Sequence, residues 1–139
     1  MNDPHDLKRF VVAQAPVYAQ VLGELRGGAK SSHWMWFVFP QMKGLGRSAT
    51  ARRYGIGSAA EALAYFEHPL LGPRLVECTA TVLAVHGRTA LQIFGAPDDQ
   101  KFRSSMTLFE RVAPHEPVFA EALETYFAGQ RDPATASLL

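Results

Sequence analysis

The sequence predicts an all-α, or mainly α, fold: one compact domain over residues 1–139 with about six to eight short helices around a central apolar helix. Three observations carry this. Helix-start devices recur along the chain, as Asp3-Pro4, Ser58-Ala59-Ala60-Glu61 and Asp132-Pro133. Such sites join a capping oxygen to proline at the first helical position, or to a glutamate three residues on. Glycines that suit helix ends follow at Gly27-Gly28, Gly87, Gly95 and Gly129, where a left-handed residue closes the last turn. No segment shows the period-2 alternation of a half-buried strand.

Each element follows from its own residues. Asp3-Pro4 predicts a first helix carrying Leu7, Phe10 and Val11. Pro16 interrupts the N–H ladder, so a second helix runs from about Ala15 to Arg26 with Val17, Val21, Leu22 and Leu25 on one face. Ser31-Ser32-His33-Trp34-Met35-Trp36-Phe37-Val38-Phe39-Pro40-Gln41 contains both tryptophans of the chain. From Trp34 to Phe39 every side chain is apolar, so periodicity does not separate buried strand from buried helix turn. The flanks favour helix: Ser31 or Ser32 suits an N-cap, and Pro40 ends the element. Both tryptophans are expected to be largely buried, either as core alone or as core and pocket wall together.

Lys43-Gly44-Leu45-Gly46-Arg47-Ser48 reads as a flexible loop. It suits a plain connector or, through its backbone N–H groups and cations, an anion. Ser58 and Glu61 predict a capping box opening a helix with Leu63, Tyr65 and Phe66, which ends at His68-Pro69. Pro69 then starts a helix to about Val85 whose apolar residues cover most of its circumference, which marks it as central. Arg74 and Glu77 are its polar exceptions and are spaced to pair. Thr89–Phe94 reads as a short apolar turn. Asp98 or Asp99 begins a helix through Val112, and Pro114 and Pro117 delimit the start of the next. There Val118, Phe119, Ala122, Leu123, Tyr126 and Phe127 form an amphipathic face. Asp132-Pro133 opens a terminal turn to Leu139.

Composition excludes several classes. Hydrophobic residues make up 47% and charged residues 19% of the 139, with a formal net charge of +1. That is an ordinary globule with no basic field for nucleic acid. No run approaches the ~20 apolar residues of a membrane span, and the N-terminus has no apolar core of a signal peptide. The expectation is a cytoplasmic, bacterial-type protein with no membrane and no nucleic-acid partner. The composition assigns no oligomeric state. Cys78 is the sole cysteine, so no intramolecular disulfide forms, and its setting is that of a small buried hydrophobe. His5, His33, His68, His86 and His115 lack the i, i+3 or i, i+4 pairing of a metal site, so no metal or cofactor is expected. Asp98, Asp99 and Lys101 resemble a nuclease set only superficially. They crowd one helical turn, where acids are ordinary helix-start residues.

Lys101, Ser104 and Ser105 share one helix face, and a cation with two hydroxyls suits a phosphate or a sugar. The same residues also suit a solvated face with hydroxyls bonded back to carbonyls. With the polar ends of the aromatic stretch they give a candidate ligand site of His33, Trp34, Trp36, Gln41, Lys101, Ser104 and Ser105. The ligand would be a small polar molecule, nucleotide- or sugar-derived. If chemistry follows binding, hydrolysis with His33 as acid or base is the least strained route. The competing expectation is a non-enzymatic protein-interaction module whose aromatic run forms core or partner surface.

These motifs also carry a resemblance. Lys30-x-Ser32-His33-Trp34-Met35-Trp36-Phe37-x-Phe39-Pro40-Gln41, Gly44-Leu45-Gly46-x-Ser48, His68-Pro69-x-Leu71-Gly72-x-Arg74-Leu75, Ile93-Phe94-Gly95 and Lys101-x-x-Ser104-Ser105-Met106-Thr107-Leu108-Phe109 together are similar to the bacterial domain-of-unknown-function family 1810. Some members bear the label calpastatin, but nothing in this chain resembles the disordered repeats of that inhibitor. The similarity spans about Leu7 to Leu138. It implies a compact, predominantly helical domain and brings no activity or residue roles.

Overall fold

The computed structural model describes residues 2–139 and is mainly helical, as expected. Ten helices occur among the described residues: α1 (Lys8–Gln14), α2 (Tyr18–Arg26), α3 (Met35–Val38), α4 (Ala49–Tyr54), α5 (Ala59–Glu67), α6 (Leu71–Leu83), α7 (Ala90–Phe94), α8 (Asp98–Val112), α9 (Pro117–Phe127) and α10 (Pro133–Ser137). The number exceeds six to eight because segments such as α3, α4 and α10 close one or two turns each.

Helix α8 packs on α9, α5, α7 and α10, whereas α6 packs on α5, α9 and α2. The central position expected of α6 thus falls largely to α8, which buries Phe102 and every residue from Ser104 to Phe109. Arg74 and Glu77 of α6 do not pair with each other. Both turn to Tyr18: the guanidinium lies 4.3 Å from the ring centroid, and the phenol donates to Glu77. The core is strongly aromatic. Phe39 meets Phe102 and Phe94 edge-on at 5.1 and 5.9 Å, and Phe94 stacks on Phe102 at 4.6 Å.

Several helix starts differ from the expectation in their chemistry. Asp132 caps α10 through the Thr135 N–H with Pro133 at the first position, as expected. Asp3 instead accepts from Leu7 and Lys8 N–H at 2.9 and 3.1 Å, so α1 begins later than Asp3-Pro4 implies. Ser58 accepts from Glu61 N–H at 3.1 Å, but Glu61 does not return the bond. Its Oε1 takes the Gly57 N–H and its Oε2 pairs with Arg9 at 2.8 Å. The reciprocal capping box lies at Thr89 and Gln92, opening α7. Helix α6 has no side-chain cap at its N-cap residue, and His68 Nδ1 accepts from Leu70 and Leu71 N–H in its place.

A clasp shapes the segment after α3. Met42 and Ile56 form an isolated parallel bridge; Ile56 N–H donates to the Gln41 carbonyl at 2.9 Å and Lys43 N–H to the Ile56 carbonyl at 2.8 Å. Gly55 is required there, because a Cβ would sit 2.8 Å from Lys43 Cα. Arg9 adds a second tie, donating to the carbonyls of Arg53 and Gly55 at 2.9 and 3.1 Å. The excursion between the clasped ends holds the glycine loop and α4, which buries none of its residues. No helix among the described residues is long and apolar enough to cross a membrane.

Candidate functional site

Residues 34–38 set up two environments within two turns of chain. Trp34 is the N-cap residue of α3 and Trp36 its second helical residue. A separation of two positions turns a side chain by ~200° about a helix axis, so the two indoles face opposite ways.

Trp34 points into the core and is 1% exposed. Its indole N–H donates to Glu24 Oε1 at 2.9 Å. The same carboxylate accepts from Ser31 N–H, Ser32 N–H, the Ser32 hydroxyl and the Gln20 amide. Ser32 therefore serves Glu24 and not the N-cap of α3. Burial opposes the Glu24 charge, but the hydrogen bonds from Ser32, Ser31, Trp34 and Gln20 outweigh it and hold the carboxyl at about 2, from an ordinary 4.5. Phe37 is held from behind by a buried amide: Gln14 Nε2 donates to its carbonyl at 2.7 Å and to the Tyr65 hydroxyl oxygen at 3.0 Å.

Trp36 is only half-buried, which favours the pocket-wall alternative over core alone for this end of the aromatic stretch. It lines a surface cleft of about 470 Å³ between residues 41–51 on one side and the start of α8 with residues 132–134 on the other. A small nook opens behind it, bounded by Met35, Phe39, Tyr54 and Gly55, and shares Trp36, Gln41, Ala51 and Lys101 with the cleft. Lys101 Nζ lies 4.5 Å from the Trp36 ring centroid, a cation–π distance. It also lies 3.4 Å from Asp98 Oδ1, while Asp98 Oδ2 is taken by Lys30 at 2.8 Å. Two ammonium groups thus share one carboxylate, and a net positive charge remains beside the cleft.

Four of the seven residues selected from sequence meet here: Trp36, Gln41, Lys101 and Ser104 line the cleft. The structure does not bring the other three to it. His33 is exposed and outside the lining. Trp34 is enclosed, and its polar atom is already bonded to Glu24. Ser105 is fully buried, and its hydroxyl has no partner among the described residues, neither a ligand-facing contact nor a bond back to its helix. The loop adds Leu45, Gly46, Arg47 and Ser48 to the wall, while Lys43 stays outside.

Asp132 was not selected from sequence beyond its capping role, yet it lines the same cleft. Its Oδ2 lies 3.0 Å from Ser104 Oγ and accepts from Thr135 N–H and Oγ1 at 3.1 and 2.6 Å. Thr107 Oγ1 accepts the Asp132 N–H at 3.0 Å, and Arg103 donates to the carbonyls of Gln130 and Arg131, both at 2.8 Å. This lacing fixes α10 on α8. By contrast the Trp36 N–H, the Gln41 amide and the Arg47 guanidinium make no hydrogen bond among the described residues. Groups that could hold a metal, taken as three or more His, Cys, Asp or Glu together, are absent among the described residues. Cys78 is buried, and burial pushes its thiol up to about 12, so it is a packing residue and not a nucleophile.

A family model described as "Protein of unknown function (DUF1810)" matches residues 4–139. The crystal structure of the conserved hypothetical protein Rv1873 from Mycobacterium tuberculosis superimposes with a TM-score of 0.97. It is 58% identical over 99% of this chain and 98% of that one. No curated protein matches the sequence significantly. With the aromatic stretch, the glycine loop and the Lys101–Phe109 segment all inside the matched region, this chain belongs to the DUF1810 family.

Proposed function

We propose that the cleft between residues 41–51 and α8 binds a small polar ligand that carries an anionic group, of the nucleotide or sugar class. The supporting observation is the convergence on one cleft of Trp36, Gln41 and two cations, Lys101 and the exposed Arg47, from separate parts of the chain, with the half-buried Trp36 N–H and Gln41 amide left unpartnered among the described residues. Buried or half-buried polar groups are ordinarily satisfied, and leaving them without a partner costs free energy. Water offsets that cost in the empty cleft, and a ligand with matching groups does so in the filled one. The volume falls in the ~300–1,000 Å³ range of small-molecule sites. The ammonium of Lys101 offers three donors, and its place over the indole keeps it at the cleft wall.

The proposal concerns binding. His33, the group that would have served as acid or base, does not line this cleft. The large exposed apolar residues Val12, Leu63, Leu91 and Leu138 are spread over α1, α5, α7 and the end of α10. Single exposed apolar side chains of this kind are normal on a monomer, so they do not favour an interaction module.

The test is a titration of intrinsic tryptophan fluorescence with nucleotides, sugar phosphates and small carboxylic acids. Trp36 is the responsive indole and enclosed Trp34 the constant background. At least one anionic class should shift the emission saturably. Lys101→Ala should weaken that binding by about 1.5–3 kcal/mol, the worth of a hydrogen bond to a charged group. Silence across the panel, or unchanged affinity in the variant, would remove the proposal.

A further inference from the structure

Asp132 is the acidic exception in a cleft whose other charged lining residues, Arg47 and Lys101, are cations. Its two oxygens are in different situations. Oδ2 is committed to Thr135 and Ser104, whereas Oδ1 accepts no hydrogen bond among the described residues. An ionised carboxylate is an acceptor only, with about four lone-pair sites on its two oxygens. A ligand that meets this wall must therefore bring hydrogen-bond donors. A ligand that meets Lys101 and Arg47 must bring an anion. Gln41, also unpartnered, offers both a donor and an acceptor. A bare anion satisfies only the cationic groups and is repelled by Asp132 at short range. A neutral polyol brings no charge to Arg47 or to Lys101, which shares its one carboxylate, Asp98, with Lys30.

From this division we infer that the ligand is a phosphorylated sugar. Its hydroxyls donate to Asp132 Oδ1 and its phosphate sits on Lys101 and Arg47. The inference rests on the ligand-binding proposal above and narrows it to one chemical class. A free sugar phosphate and a nucleoside monophosphate share this chemistry, and both fit a cleft of about 470 Å³.

Isothermal titration calorimetry with ribose 5-phosphate, AMP and inorganic phosphate tests it on the full chain. Asp132→Asn is the diagnostic variant. Asparagine is as good an N-cap as aspartate, and its single oxygen can keep the bonds from Thr135 and Ser104. Its amide replaces the free oxygen, turning an acceptor into a donor. The wild type should bind ribose 5-phosphate or AMP at least ten-fold tighter than inorganic phosphate. Asp132→Asn should erase that advantage, weakening ribose 5-phosphate and AMP, while inorganic phosphate, relieved of the carboxylate's repulsion, binds no more weakly than to wild type. Equal affinities for ribose 5-phosphate and AMP assign the site to the sugar phosphate, and a preference for AMP assigns it to the nucleotide; both support the inference.

If inorganic phosphate binds as tightly as the sugar phosphates, or Asp132→Asn binds them like wild type, the inference is overturned. Saturable binding of another anion in the fluorescence titration would then keep the broader proposal alive. If Asp132→Asn melts well below wild type, Asp132→Ser repeats the test, because serine keeps a capping oxygen and removes the second carboxylate oxygen.

Discussion

Trp34 and Trp36 stand two residues apart, and each has a lysine ammonium near its ring, Lys30 at 5.1 Å and Lys101 at 4.5 Å. Both lysines reach the same Asp98. Around Trp34 the polar groups converge on Glu24, which accepts from three residues of the 31–34 segment and from Gln20. Around Trp36 the half-buried indole N–H and Gln41 amide have no partner among the described residues. The same residue type, cation and acid thus produce a closed joint on one side and an open cleft on the other. What separates them is saturation. A satisfied polar frame can be sealed, and an unsatisfied one must stay in contact with water or a ligand.

Substitutions should separate the two environments by size of effect. Trp34→Ala should be the most damaging, costing about 3–5 kcal/mol from the lost aromatic volume alone, read as a drop in chemical denaturation midpoint. A variant within measurement error of wild type would mean that the enclosed indole does not hold the joint.

Glu24→Gln should come next, at about 1.5–3 kcal/mol, because the hydrogen bonds to a charged acceptor weaken. It also carries a pH signature. The Glu24 carboxyl is depressed in the folded state from 4.5 to about 2. Its contribution is therefore complete above pH 4.5 and is lost as pH falls towards 2. Denaturation profiles across that window should fall less steeply for Glu24→Gln than for wild type; parallel profiles would argue against the hub.

Trp36→Ala should cost less, about 1–2 kcal/mol from partial burial and one cation–π contact, while abolishing the fluorescence response to ligand. A loss as large as that of Trp34→Ala would erase the distinction between the two indoles. Lys101→Ala should leave stability within about 0.5 kcal/mol in the same denaturation assay. A larger loss would mean that the ammonium is structural.

Much of this was legible in the sequence, and the failures have physical causes. The Asp132-Pro133 start and the Gly28 and Gly129 stops depend on local chemistry, and they appear where expected, both glycines with positive φ. That Gln41, Lys101 and Ser104 border a cleft was legible because polar residues flanking apolar runs mark a boundary. The two fates of the indoles were not, because a run apolar at every position has no period from which to read a face. Glu24 was invisible for a related reason. An acid on an amphipathic helix reads as solvated, and only the return of the 31–34 segment over α2 half-covers it and brings its donors. Asp132 read as a cap, which it is; its second oxygen acquires meaning only when α10 lies along α8. Arg74 and Glu77 had the spacing of a pair, but Tyr18 from α2 offered each a better contact.

The clasp at Met42 and Ile56 has a consequence for how this protein can diversify. Because the two ends of the 43–55 excursion are tied to each other and the second end also to Arg9, its interior behaves as a cassette, an Ω-like loop whose mouth is already closed. Residues 47–50 are exposed and can be lengthened, recharged or exchanged without reopening the core, whereas Leu45 before them and Tyr54 after them pack against it. One wall of the cleft can therefore drift in evolution, or be replaced by a designer, while the wall built on α8 stays constant. The two walls of the cleft thus tolerate change to different degrees, although both contribute residues to its lining.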